Sequence, residues 1–171
     1  MESATPVQEE MCKMPKPQKE HEWLQKFVGE WESEAEIQFS PDQPPVIGRG
    51  TESTRMIGGA WIIAQGASEM MGTPFESVLT LGYDPRKGKY VGTWVDSMSG
   101  YLWLYEGEVD ETGTILSLDT EGPGPDNPDG LTRFKEVTVF KTPDHRVFTS
   151  SIQAEDGTWK TCLTVTSRRK K

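Results

Sequence analysis

A chain of 171 residues, 34% of them hydrophobic, has the length of one globular domain with a core of its own. Lys and Arg number 18 against 27 Asp and Glu, a formal charge of -9 that opposes phosphate backbones and anionic lipid, so neither nucleic acid nor membrane is an expected partner. No run reaches the ~18 apolar residues of a membrane-spanning helix, and the opening MESATPVQEEMCKMPKPQKE has no apolar export core, so a cytoplasmic protein is expected.

Residues 1–19 mix Pro6, Pro15 and Pro17 with Gln, Glu and Lys and bury too little apolar area to offset the entropy of ordering them. A disordered tail is expected there, ahead of one domain over residues 20–171. Trp23, Leu24, Phe27 and Val28 fall at helical spacing and Gly29 comes next as a stop, which predicts one short helix covering an open end of the domain. After Gly29 the period becomes two: Trp31, Ser33, Ala35, Ile37 and Phe39 share one face, Glu32, Glu34, Glu36 and Gln38 the other. Similar segments recur over 49–57, 60–71, 75–83, 89–96, 101–108, 114–121, 132–141, 146–154 and 159–167, about ten strands in all.

Turn residues stand between them at Gly58-Gly59, Gly72-Thr73-Pro74, Asp84-Pro85, Ser99-Gly100, Thr112-Gly113, Pro143-Asp144 and Asp156-Gly157. Such short links join antiparallel neighbours, and no helical crossover is present for a parallel sheet. The predicted fold is all-β, an up-and-down antiparallel barrel of about ten strands behind the short helix, closed because closure removes the sheet's exposed edges. GPGPDNPDG over 122–130 is too rich in Pro and Gly for a strand and is expected to be an irregular link at one mouth. A barrel wider than about eight strands is expected to hold a cavity.

HEWLQKFVGEW, STRMIGGAWIIAQG, LTLGYDPRKGKYVGTWVDSMSG and RVFTSSIQAEDGTWKTCLTVTSRRK together resemble the DUF1579 family, from His21 to about Lys170. The resemblance implies a lipocalin-like, or calycin-like, barrel of a size that suits small molecules, with no established activity. Gly29-Glu30-Trp31 also resembles the G-x-W that opens the first lipocalin strand, where the Trp plugs one barrel end. Two departures weaken fatty-acid and haem binding. The chain ends in Ser167-Arg168-Arg169 rather than the Arg-x-Tyr with which fatty-acid-binding proteins hold a carboxylate, and nothing matches the GxWxGxG run or haem-ligating His of nitrobindin-like barrels.

Candidate ligand-binding residues come from composition and parity: Trp31, Trp61, Trp94 and Trp103 for contact area, Arg55, Gln65 and Asp96 to orient a polar group. Tyr90, Gly92, Trp94 and Asp96 share one parity and Val91, Thr93 and Val95 the other, and either could face inward. An inward Asp96 would be paired, hydrogen-bonded or protonated, which suits a general base or ligand anchor; at a strand end it would instead cap the turn from Ser97 to Gly100. Arg55 shares a face with Thr51, Ser53 and Ile57 and is expected to meet Asp96 or Glu69, as a structural pair or as a fork for an anionic ligand group. Tyr101, Trp103 and Tyr105 form a stripe, either cross-strand packing or a stacking wall.

The histidines are His21 and His145, too few and too far apart for a His-rich metal site or a convenient triad, and no Walker, Rossmann, EF-hand or HExxH pattern occurs, so neither metal nor cofactor is expected. Cys12 and Cys162 form no disulfide framework, and Cys162 reads as an inert buried thiol. The function expected is binding of a small, largely apolar molecule inside the barrel. Two alternatives remain: an enzyme using Asp96 as acid or base with Arg55 stabilising negative charge, or a non-catalytic module that forms a homodimer through an outer face.

Overall fold

The computed structural model describes residues 16–171 together with Val7. Most of the tail expected over residues 1–19, including Cys12, lies outside the described residues. The helical segment is α1 (Lys19–Trp23) running into a 3-10 turn (Leu24–Phe27). Then come β1 (Gly29–Ile37), β2 (Val46–Ile57), β3 (Trp61–Met70), β4 (Thr73–Asp84), β5 (Lys89–Asp96), β6 (Trp103–Val109), β7 (Ile115–Gly124), β8 (Asn127–Thr142), β9 (His145–Gln153) and β10 (Trp159–Arg169).

Every strand pairs antiparallel with its sequence neighbours, and β1 pairs with β10, so the ten strands close into a barrel. The closing ladder runs from Trp31 opposite Arg169 to Ile37 opposite Leu163. Closure leaves no unpaired edge to recruit another chain. Gly92 and Gly107 face inward where the neighbouring backbone, at Thr80 O and Ser117 O, occupies the place of a Cβ, and this close approach lets the wall bend. Residues 122–130, expected to be irregular, are mostly strand. β7 continues to Gly124 and β8 starts at Asn127, so the link shrinks to Pro125 and Asp126. The ladder shifts register between Gly122 and Gly124, which puts Pro123 where no paired N–H is required.

The two ends of the barrel differ. Trp31, Ile62, Leu81, Tyr90, Leu116 and Phe140 point inward at the end where β1 begins, and Leu24 and Phe27 of the 3-10 turn press onto them. Full burial of each such side chain is worth about 1.5–3 kcal/mol. Polar groups position this plug. Gln18 N donates to His21 Nδ1 (2.9 Å) and His21 Nε2 donates to Tyr83 O (3.1 Å), while Trp23 Nε1 donates to Gly113 O (2.8 Å). The helix therefore seals one end of the barrel. No helix among the described residues is long and apolar enough to cross a membrane.

Candidate functional site

In the open half the inward positions include Ser33 and Ala35 of β1, Leu79 of β4, Trp94 and Asp96 of β5, Trp103 and Tyr105 of β6, Phe134 and Glu136 of β8, Phe148 and Ser150 of β9, and Lys160 of β10 at the rim. Most of these are only half-buried although they point into the barrel. Their partial exposure contrasts with the filled end around Trp31. Trp103 meets Phe134 edge to face at 5.1 Å between ring centroids, and Gly122 leaves the space the Trp103 ring occupies.

Polar groups are set into this aromatic wall. Glu136, 7% exposed, accepts at Oε1 from Ser150 Oγ (2.9 Å). Burial pushes its carboxyl up to about 7, against the opposing pull of the Ser150 bond. Burial also raises the Tyr105 phenol, and the charges of Glu136 and Asp96 add to that rise. Cys162 comes beside this pair through a shift in the β9–β10 register between Thr161 and Leu163, and its Sγ donates to Ser150 O (3.4 Å). Its thiol is raised, chiefly by burial, so it remains protonated and is a poor nucleophile. Thr120, 6% exposed and inward on β7, is the buried side chain whose oxygen finds no hydrogen-bond partner among the described residues.

The predicted site residues separate into three groups. Trp94, Asp96 and Trp103 come together in the open lumen. Asp96 does both things weighed for it: Oδ2 accepts from Trp94 Nε1 (3.0 Å), and Oδ1 accepts from Met98 N (2.9 Å), capping the turn after β5. Trp31 is inward but 0% exposed in the sealed end, out of reach of any ligand. Its indole donates to Phe27 O (2.8 Å) and lies between the guanidinium groups of Arg146 (4.5 Å) and Arg169 (4.3 Å). Arg55, Trp61 and Gln65 occupy the exposed parity of β2 and β3, so they stand on the outer wall. Trp61, 41% exposed, packs over Gly82 on that outer face. The reason is register: Thr54 and Met56, not Arg55, share the inward face with Glu52, and Ile62 and Ala64 take the inward face of β3.

The Arg–carboxylate pair expected inside the barrel exists with other partners. Arg146 Nη2 donates to Glu52 Oε1 at 2.6 Å, and Thr54 Oγ1 donates to the same oxygen (2.7 Å). It lies at the sealed end, with the Arg146 guanidinium 4.9 Å from the Phe27 ring, and helps to fasten the plug.

A family model matches residues 16–169, nearly the whole of the described chain. The chain belongs to the DUF1579 family. That family is described as protein of unknown function. No curated protein matches the chain. Among solved structures, Rv2717c from M. tuberculosis is 14% identical with a TM-score of 0.65, over 91% of this chain and 100% of that one. The S-type phycobiliprotein lyase CPES from Guillardia theta is 17% identical with a TM-score of 0.56, over 92% of this chain and 99% of that one. At these identities both likenesses concern the fold.

Glu136, Ser150, Thr120 and Phe134 of this DUF1579 barrel are not among the residues the sequence points to. In β8, Phe134, Glu136, Thr138 and Phe140 alternate with Lys135, Val137, Val139 and Lys141, so both faces carry apolar residues and the parity is ambiguous. The usable signal is Glu136 itself, a carboxylate on the same parity as two Phe side chains. No cluster of His, Cys, Asp and Glu that could hold a metal occurs among the described residues.

Proposed function

We propose that the open half of the lumen binds a small, largely apolar molecule, with Trp94, Trp103 and Phe134 as contact surface and Asp96, Glu136 and Tyr105 as the polar groups that orient it. The observation that carries this reading is that inward aromatic side chains stay half-exposed at one end of a closed barrel whose other end is filled. The likeness in fold to a phycobiliprotein lyase supports ligand binding in general. Arg55, Trp61 and Gln65 have no part in the proposed site, and Trp31 serves as its floor support. An enzymatic role for Asp96 has less support, because both its oxygens are already engaged and Arg55 does not face it.

The test uses N-phenyl-1-naphthylamine, a neutral probe that fluoresces when shielded from water, titrated into the full chain. Saturable enhancement at one probe per chain is expected. Ala35→Trp, which fills the open lumen from β1, should weaken it about 10-fold or more, whereas Thr51→Trp adds the same bulk to the outer wall and should leave it unchanged. Enhancement that does not saturate, or that survives Ala35→Trp, contradicts the reading. Native mass spectrometry of freshly purified protein then looks for a retained metabolite.

A further inference from the structure

Apolar contact alone does not decide the charge of what enters, but the polar atoms of the open lumen do. Its acids are Glu136 and Asp96. Among the described residues, Arg146 and Arg169 are inward cations at the sealed end, where Arg146 is held by Glu52 and both guanidinium groups are stacked on Trp31, and Lys160, opposite Ile152 on the inward face of β10, is an exposed cation at the open rim. A carboxylate seated at the depth of Glu136 would therefore face like charge, with Lys160 at the rim as the cation on that side of the barrel.

Several lumen atoms also lack a protein partner. Thr120 Oγ1 is buried with none. Glu136 accepts at Oε1 from Ser150, and no side chain or backbone donor among the described residues bonds its Oε2 or the Tyr105 hydroxyl. Thr120 and Glu136 are diagonal neighbours across the ladder in which Leu118 faces Glu136 and Thr120 faces Phe134. An unsatisfied buried hydroxyl beside a half-satisfied carboxylate is a costly arrangement that a bound hydrogen-bonding group would relieve.

Resting on the reading of the open lumen as a ligand site, we propose that its ligand is an aliphatic amine, cationic at neutral pH: the ammonium group sits on Glu136 Oε2 with the Thr120 and Tyr105 hydroxyls, and the apolar body lies against Trp94, Trp103 and Phe134. Carboxylates of the same size bind more weakly, because their anionic group meets Glu136 and Asp96 within the site. Aromatic faces on the same wall favour the cation further.

Glu136 gives the proposal a proton signature. The groups that face it are Leu118 and Thr120 from β7, Ser150 from β9, Cys162 from β10, and Tyr105 with Asp96 beyond it from β6 and β5. With its carboxyl near 7, the free site is partly protonated at neutral pH. A cation beside it favours the ionised form, so binding releases part of a proton and tightens as pH rises from 6 to 8.

The experiment is isothermal titration calorimetry of the full chain with 2-naphthylmethylamine, 2-naphthylmethanol and 2-naphthoate, which share one aromatic body. The amine should bind about 10-fold or more tighter than the naphthoate at pH 7.5, and in buffers of different ionisation enthalpy at pH 7 it should release a fraction of a proton. Glu136→Gln should abolish the release and bring amine and alcohol within about 3-fold of one another. Should Glu136→Gln not fold, the selectivity and proton release of the unaltered chain decide alone. Naphthoate binding as tightly as the amine, or an amine preference unchanged in the folded variant, overturns the proposal. If none of the three binds while N-phenyl-1-naphthylamine does, the amine assignment fails and the lumen reading stands. If that probe is not bound either, both fail.

Discussion

Glu136 couples the site to the stability of the barrel. Its carboxyl, near 7 when folded against 4.5 ordinarily, holds a proton at pH values where the unfolded chain has released it. As pH rises through that window the folded state loses stability, by on the order of 3 kcal/mol, and the loss is complete above it. Glu136→Gln removes the penalty: its urea midpoint is expected to match the parent near pH 4, below the unfolded value, and to exceed it at pH 8, and a lower midpoint at pH 8 would contradict the assignment. Trp31 is the opposite case, an aromatic that serves the fold alone. It is fully buried, bonded to Phe27 O and flanked by Arg146 and Arg169, so Trp31→Ala should cost about 3–5 kcal/mol in urea unfolding. On the outer wall, Arg55→Met is expected to leave probe affinity within 2-fold of the parent in the same titration, an order-of-magnitude bound set by the absence of any lumen contact.

The elements are legible where composition and period agree. β1 alternates Trp31, Ser33, Ala35 and Ile37 with an unbroken set of glutamates, which fixes both the strand and its inner face, and Gly29 stops the helical turn before it. Residues 122–130 defeat the same reasoning because Pro and Gly counts say little about pairing when a Pro sits at a register shift. At the β3–β4 hairpin the sequence suggests a turn on Gly72, Thr73 and Pro74. The chain turns one residue earlier, with Met71 (φ 51°) and Gly72 (φ 80°) both left-handed and Thr73 already in β4. Met71 is exposed and strained, so it forfeits nothing by replacement. Met71→Asn should therefore raise stability by about 0.5–1 kcal/mol, read as a higher thermal midpoint; a lower midpoint would show that Met71 makes a contact that matters.

For the whole molecule, the antiparallel meander and its closure arise from short turns and the cost of exposed edges, and β1 against β10 completes it. Period two says which residues share a face but not which face is the inner one. That ambiguity is why Trp94, Asp96 and Trp103 meet in the lumen while Arg55, Trp61 and Gln65 stand outside. It is also why Glu136, on a strand apolar on both faces, does not stand out in the sequence. The helix at one end converts the barrel from a tube into a cup, and the aromatic lining of the cup is the basis for the function proposed.

The six tryptophans report separately on the parts of the molecule: Trp23 and Trp31 at the sealed end, Trp94 and Trp103 in the open lumen, Trp61 and Trp159 on the outer wall. The most direct test of the cup is an NMR titration of their indole N–H resonances with N-phenyl-1-naphthylamine. The Trp94 and Trp103 signals are expected to shift together and saturate while Trp31, Trp61 and Trp159 stay in place; shifts confined to Trp61 or Trp159, or none at Trp94 and Trp103, would contradict a ligand site inside the barrel.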